Sequence, residues 1–294
     1  MTNQSGTVIA SFGRRFLVQF DSGPIADCTA YGKKGGIVCG DRVFGHALNA
    51  QQGVIEAVAP RRSLLKRADQ FREKLIAANI EQTVFVCAAE PTLYEELLNR
   101  AMIASEAAAL RFIIVANKTD LDASADLLER LALYRTLGYE VVAISARRDA
   151  RPLASYLAGQ NSVIIGQSGV GKSTLINALV PDAQARTREI SQSLQSGRHT
   201  TTHSQLYSFE NGTIIDAPGV QEFGLAHLNA DTMTSAFIEF RPHLGSCRFH
   251  DCRHLNEPGC ALAAATERGE IDPRRFEYYR KFAGTVPQKR YKLD

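Results

Sequence analysis

The apolar positions along this chain change their period part-way. Up to about residue 58 they fall in short runs: Thr7-Val8-Ile9-Ala10, Phe16-Leu17-Val18-Gln19-Phe20, Ile37-Val38-Cys39, Arg42-Val43-Phe44 and Gly53-Val54-Ile55-Glu56-Ala57-Val58. Turn formers such as Asp21-Ser22-Gly23-Pro24, Gly35-Gly36 and Gly40-Asp41 separate them. Five short strands in that length predict a small barrel of the OB type, with 37–39 as one of the five. Past Arg61-Arg62-Ser63-Leu64-Leu65-Lys66-Arg67 the pattern alternates. Strand-like runs at 84–88, 112–116, 140–144 and 163–165 are interleaved with helical stretches at 93–110, 125–137 and 174–179. Apolar strands with helices between them predict a parallel sheet covered on both faces, the doubly wound α/β plan. Towards the end, Asp272 to Phe282 has helical spacing. The expectation is a multidomain α/β protein with a barrel over 1–66, an α/β domain over 67–228 and a helical C-terminal domain over 229–294.

Composition narrows the setting. Hydrophobic residues make up 45% of the 294, enough for packed cores, yet no run approaches the length of a membrane span. Met1-Thr2-Asn3-Gln4-Ser5-Gly6 is polar and unlike a secretory signal, so a soluble, cytoplasmic protein is expected. Lys and Arg outnumber Asp and Glu by 9 to 4 in residues 1–67 and by 11 to 7 in 241–294, but are outnumbered 14 to 20 between them. Two basic flanks around an acidic middle suit a polyanionic partner, with ordinary solvated surface as the alternative. In the first flank Arg14, Arg15, Lys33, Lys34, Arg61 and Arg62 sit near turns or strand ends, where an OB barrel meets RNA; small barrels also serve as protein-binding modules.

The chemistry centres on Gly166-Gln167-Ser168-Gly169-Val170-Gly171-Lys172-Ser173-Thr174, placed between a predicted strand and a predicted helix. This is the P-loop spacing in its required context. Glycines let backbone N–H groups curl around phosphate oxygens, and the helix dipole adds positive potential. Lys172 is placed to reach the β and γ phosphates, and the Ser173 hydroxyl to ligate Mg²⁺.

Two further motifs end strands. Asn117-Lys118-Thr119-Asp120 follows the 112–116 strand, and Ser145-Ala146 follows the next. Asp120 can accept from both the ring N–H and the amino N–H of guanine, a pairing adenine cannot offer. Asn117 is expected to fix the base, Lys118 to cover it, and the Ala146 N–H to meet the guanine oxygen. Downstream, Gly197-Arg198-His199-Thr200-Thr201-Thr202 lies in a polar stretch, and Asp216-Ala217-Pro218-Gly219 follows Thr213-Ile214-Ile215. Thr201 is expected on the Mg²⁺ side, Asp216 to hold Mg²⁺ through water, and the Gly219 N–H to sense the γ phosphate; the threonine run as a plain solvated loop is the alternative. In a Ras-like GTPase the phosphate motifs precede the base-reading ones. Here the base motifs come first, so the domain reads as circularly permuted.

The last region carries Cys247, Cys252, His254 and Cys260 in the spacing C-x4-C-x-H-x5-C. Three thiolates and an imidazole suit one structural Zn²⁺, with His243 and His250 as alternatives to His254. Around it lie Arg241, Arg248, Arg253, Arg274, Arg275, Arg280 and Lys281, with Phe249, Phe276, Tyr278 and Tyr279 expected to stack on bases. The same helix could equally pack on its own domain. Cys28, Cys39 and Cys87 are dispersed and read as small buried residues.

Together the barrel-like start, the permuted order NKTD, SA, GQSGVGKS, GRHTTTH, DAPG and the C-terminal Cys/His spacing resemble the bacterial ribosome small subunit-dependent GTPase A family (RsgA, also called YjeQ) over nearly the whole chain. The resemblance implies a GTPase, bound to GTP or GDP and working as a monomer. It implies binding to the small (30S) ribosomal subunit and its rRNA late in maturation, stimulation there, and departure after hydrolysis. Both end domains would touch the subunit. Val220 follows Gly219, so the water-positioning glutamine of Ras-like enzymes is missing. The family's substitute is the histidine matching His199, with Lys172 and Thr201 completing the catalytic set; RNA binding or loop capping is the other reading of His199. The competing functional class is a nucleotide-controlled RNA-binding or translation-regulating switch unconnected with subunit assembly.

Overall fold

A computed structural model describes residues 4–32, 36–49, 51–69, 71–181, 183, 203–217 and 222–286. The chain divides into two compact units: Met1–Lys66, Leu75–Leu93 and Leu110–Gln221 in the first, and Arg67–Lys74, Tyr94–Ala109 and Glu222–Asp294 in the second.

The first unit opens with β1 (Gln4–Phe12), β2 (Arg15–Phe20), β3 (Ile25–Ala30), β4 (Arg42–Ala47) and β5 (Gln52–Val58). They close in the order β1-β2-β3-β5-β4 and back to β1, with β3 and β5 parallel and all other neighbours antiparallel. Inward residues of alternating parity, among them Val8, Val18, Phe20, Cys28, Val43 and Ile55, fill the barrel. The third strand is Ile25–Ala30, not the apolar run at 37–39. In IADCTA the inward positions are the small Ala26 and Cys28, while Ile25 is 48% exposed, so no large core residue marks the strand. Ile37 and Cys39 are buried, but they lie in a turn closed by Asp41 N donating to Val38 O and pinned to β1 by bonds from Gly40 N to Val8 O and from Val8 N to Asp41 O. One cation expected at an RNA surface is structural instead: Arg61 binds the buried Asp41 at 2.7 Å, whereas Arg15 pairs with Asp27 and stays exposed.

A hairpin of β6 (Leu64–Ala68) and β7 (Glu73–Ala78) follows, its tip belonging to the second unit. Next come β8 (Gln82–Ala88), α1 (Glu95–Ala107, in the second unit), β9 (Arg111–Asn117), α2 (Ser124–Thr136), β10 (Glu140–Ala143), α3 (Arg151–Leu157), β11 (Asn161–Gly166), α4 (Lys172–Leu179), β12 (Ser204–Phe209) and β13 (Gly212–Asp216). The strands run β10-β9-β8-β11-β13-β12, all parallel except β12. Every residue of β8 and nearly every residue of β9 and β11 is buried, which explains their unbroken apolar runs. Strand β12 also pairs with β1 through Ala10↔Gln205 and Ser11↔Ser204, so barrel and parallel sheet are one continuous sheet.

The second unit adds α5 (Ala230–Ser235), a 3₁₀ turn (Ile238–His243), α6 (Ala261–Glu267) and α7 (Pro273–Ala283). Its core is aromatic: Phe237 stacks on Phe240 at 4.8 Å, and Tyr279 meets both rings edge-on. Asp272 caps α7 by accepting from Arg274 N, and Pro273 occupies the first turn. This helix turns Arg275, Phe276, Tyr279 and Phe282 inward, so Arg275, Phe276 and Tyr279 are core residues, not the base-stacking surface expected of them. Arg275 is fully buried; its guanidinium pairs with Glu239 at 2.6 Å, donates to Asn99 Oδ1 and lies 4.6 Å over the Phe237 ring.

Candidate nucleotide site and metal centre

The fully buried strand β11 delivers the P-loop to the carboxyl end of the sheet, where ligands sit in such folds. Lys172 opens α4 and is itself buried; its ammonium donates to the Gly166 and Gln167 carbonyls at 2.9 and 2.7 Å. Gly171 has φ +97°, and a Cβ there would lie 2.5 Å from Asn117 Nδ2, so glycine is needed both for the turn and for the neighbour. Gln167 Nε2 donates to Thr92 O at 3.1 Å, while Ser168, Ser173 and Thr174 are exposed.

Asp216 ends β13 opposite Ile164 of β11 and Gln205 of β12, and is buried. Burial pushes its carboxyl up to about 6, against the pull of the Lys172 ammonium. The same burial lowers Lys172, with Asp216 opposing. A buried lysine at the start of α4 and a buried carboxylate at the end of β13 are a charge pair able to hold a phosphate and its cation.

Beside the loop lies a cavity of about 320 Å³ whose walls include Asn117, Lys118, Asp120, Ser145, Ala146 and Arg147. The structure therefore brings the two strand-end motifs and the P-loop to one place. Asn117 is the junction, because its Nδ2 donates to Val170 O and its Oδ1 accepts from Ala146 N, both at 2.9 Å. The Ala146 N–H expected to meet a guanine oxygen thus serves the Asn117 side chain. Lys118 has φ +62° and donates to Glu90 O at 2.7 Å. The nearby Ser145 hydroxyl, and after it the backbone N–H of Asp120, hold the Asp120 carboxyl below the usual carboxylate range, with Arg148 and Arg147 adding positive charge. Sequence reasoning passed over Arg147, although its place directly after Ser145-Ala146 could have marked it. His199, Thr201 and Gly219 lie outside the described residues.

In the second unit the ligand atoms of Cys247, Cys252, His254 and Cys260 all lie within 4.8 Å of one another. His254 Nδ1 is 3.4, 3.6 and 3.5 Å from the sulfurs of Cys247, Cys252 and Cys260. A tetrahedral ion with typical thiolate and imidazole bond lengths would set sulfur and nitrogen about 3.6 Å apart, so the set fits a metal ion. Neither His243 nor His250 belongs to the cluster. Glu257 shapes the loop by accepting from the backbone N–H groups of Arg253, Leu255 and Asn256. The sulfur of Cys247 also accepts from Ala261 N at 3.3 Å.

The RsgA GTPase family model matches residues 58–226. The small ribosomal subunit biogenesis GTPase RsgA of Nitrosospira multiformis is 49% identical over 287 residues, covering 97% of this chain and 92% of that protein. The protein of the same name from Burkholderia pseudomallei is 50% identical over 290 residues, covering 96% and 92%. The chain belongs to the RsgA GTPase family. Among solved structures it is similar to YjeQ of Thermotoga maritima, with TM-score 0.72, 29% identity and coverage of 96% of this chain and 98% of that one. It is also similar to the circularly permuted GTPase YloQ, with TM-score 0.69, 26% identity and coverage of 96% and 94%. The RsgA GTPase reading thus accounts for the closed five-stranded barrel, the permuted motif order and the GTP hydrolase activity together.

Proposed function

We propose that this RsgA GTPase binds the small ribosomal subunit late in its maturation and hydrolyses GTP to GDP and phosphate there, so that hydrolysis times its own release. The identity of about half the residues with proteins named for small-subunit biogenesis, over nearly the full chain, carries this reading. The exposed Phe249, with the Arg248 guanidinium 5.4 Å over its ring, and the exposed Arg14 and Arg253 favour rRNA as the contacted surface. Barrel, GTPase and C-terminal regions are read as 1–66, 67–228 and 229–294, and the protein as a cytoplasmic monomer.

In this reading the P-loop N–H groups from Gly166 to Thr174 cradle the phosphates, Lys172 neutralises charge between the β and γ groups, and Asp120 selects guanine. Ser173, Thr201 and Asp216 would hold Mg²⁺, Asp216 through water; when bound, that ion offsets charge on the β and γ oxygens. Gly219 N–H would sense the γ phosphate. The Cys247, Cys252, His254 and Cys260 set would hold one structural Zn²⁺. His199 is assigned to orient the attacking water.

The deciding measurement is GTP turnover by the purified protein alone and with isolated small subunits, large subunits or an unrelated structured RNA. Selective stimulation by small subunits is expected, and His199→Ala should keep GTP binding while losing that stimulation. Equal response to every RNA would overturn the assignment to subunit maturation.

A further inference from the structure

The tip of the β6–β7 hairpin, Arg67–Lys74, belongs to the second unit and presents Phe71 with 91% of its surface exposed, more than any other large apolar residue described. Hydrogen bonds to Asp69 hold the backbone at Phe71 and Arg72. The Asp69 carboxylate accepts from the N–H groups of Phe71 and Arg72 at 2.7 and 2.8 Å, and Asp69 N donates to Arg72 O at 3.1 Å. Arg67, Arg72 and Lys74 accompany it in the tip, with Lys66 just before. Asp69 and Glu73 lie among these cations, and Asp69 is engaged in the turn; an exposed aromatic face with cations close in the chain is a combination with which proteins stack on an unpaired base while meeting the adjoining phosphates.

The root of the same tip is fastened to the chain shortly after Asp216. Ala68 N donates to Gly224 O and Ala226 N donates to Ala68 O, both at 3.0 Å, and Ala68 forms a parallel bridge with Leu225. The Arg67 guanidinium donates to Glu222 O. Gly224 is required for this approach, since a Cβ there would sit 2.1 Å from Ala68 O. Phe223 and Leu225, on either side, are buried and anchor the strap.

We infer that Phe71 stacks on an unpaired base of the RNA partner, held in place for that contact by the Glu222 to Ala226 strap. The inference rests on the small-subunit reading above and adds a contact to it.

The chain has no tryptophan, so Phe71→Trp places a single fluorophore on the finger and keeps its stacking face. Full-length variants are titrated with isolated small subunits in GTP analogue or GDP, with circular dichroism as the folding control. Phe71→Trp should bind like the parent, with its emission quenched in the complex. Phe71→Ala should bind roughly ten- to a hundred-fold more weakly. Gly224→Ala, or Arg67→Met should the first fail to fold, should loosen the root of the finger and weaken binding in the same direction. Undiminished binding by Phe71→Ala, or an emission that shifts to the blue without quenching and so reports a protein surface, overturns the finger. Undiminished binding by both strap variants overturns the role of the strap. Failure of the parent protein to bind small subunits overturns the underlying reading and the finger with it.

Discussion

The side-chain amide of Asn117 donates to the Val170 carbonyl 2.9 Å away, so the Asn117-Lys118-Thr119-Asp120 loop is tied to the P-loop. The other end of the same amide accepts from Ala146 N, fastening the third loop. One buried side chain therefore sets the spacing of three motifs far apart in sequence.

Asn117→Ala should leave the Val170 carbonyl and the Ala146 N–H buried without partners, a loss of about 1–3 kcal/mol for each unsatisfied group. Both GTP affinity, measured with a fluorescent analogue, and the urea midpoint should fall. An affinity loss with an unchanged midpoint would mean that Asn117 serves only the base.

Asp120→Asn exchanges a carboxylate that accepts two N–H groups for an amide that can accept one and donate one. GTP binding should weaken by about 1.5–3 kcal/mol, and xanthosine triphosphate, which carries an oxygen where guanine carries the amino group, should bind better than to the parent. Competition between the two nucleotides measures the exchange.

Asp216 should trade stability for function. Its folded carboxyl titrates near 6 against an ordinary 3.8, so the folded state holds the proton more tightly, and stability declines as pH rises from about 4 through 6. Asp216→Asn removes that buried charge and should stabilise the protein by about 1–3 kcal/mol at pH 7.5 while losing Mg²⁺-dependent turnover. Urea unfolding at pH 5 and 7.5 should show the gain shrinking at the lower pH.

Metal loading should release protons. Burial, with neighbouring thiols adding to it, pushes the Cys252 thiol up to about 12, and only the thiolate ligates. Apparent affinity should rise with pH, by about ten-fold per unit for each proton displaced. Calorimetry in buffers of different ionisation enthalpy counts those protons, and chelation should lower the melting temperature of the second unit.

Arg275→Ala should act on stability, because it leaves the Glu239 carboxylate, only 5% exposed, without its partner. A loss of about 3–5 kcal/mol is expected. Small-subunit affinity of the folded fraction should be unchanged, in contrast to Arg248→Ala.

The residues of the P-loop cavity and of the Cys/His cluster were legible because each lies in a short run of distinctive residue types at fixed spacing. The parallel strands were legible because burial on both faces leaves an unbroken apolar run. Strand β3 was hidden by its small inward residues, and β12 carries no such run. The basic aromatic stretch at 272–282 had helical spacing but gave no sign of which of its cations lay inside.

By itself the sequence determined the permuted order of the motifs and the family, since both reside in local residue types and their succession. Only the tertiary structure decided that Asn117 joins three loops, that β12 welds the barrel to the nucleotide-binding sheet, and that Arg275 is a core residue while Phe71 stands in solvent. Those outcomes depend on contacts between residues distant in sequence, where packing and backbone hydrogen bonding override the local pattern.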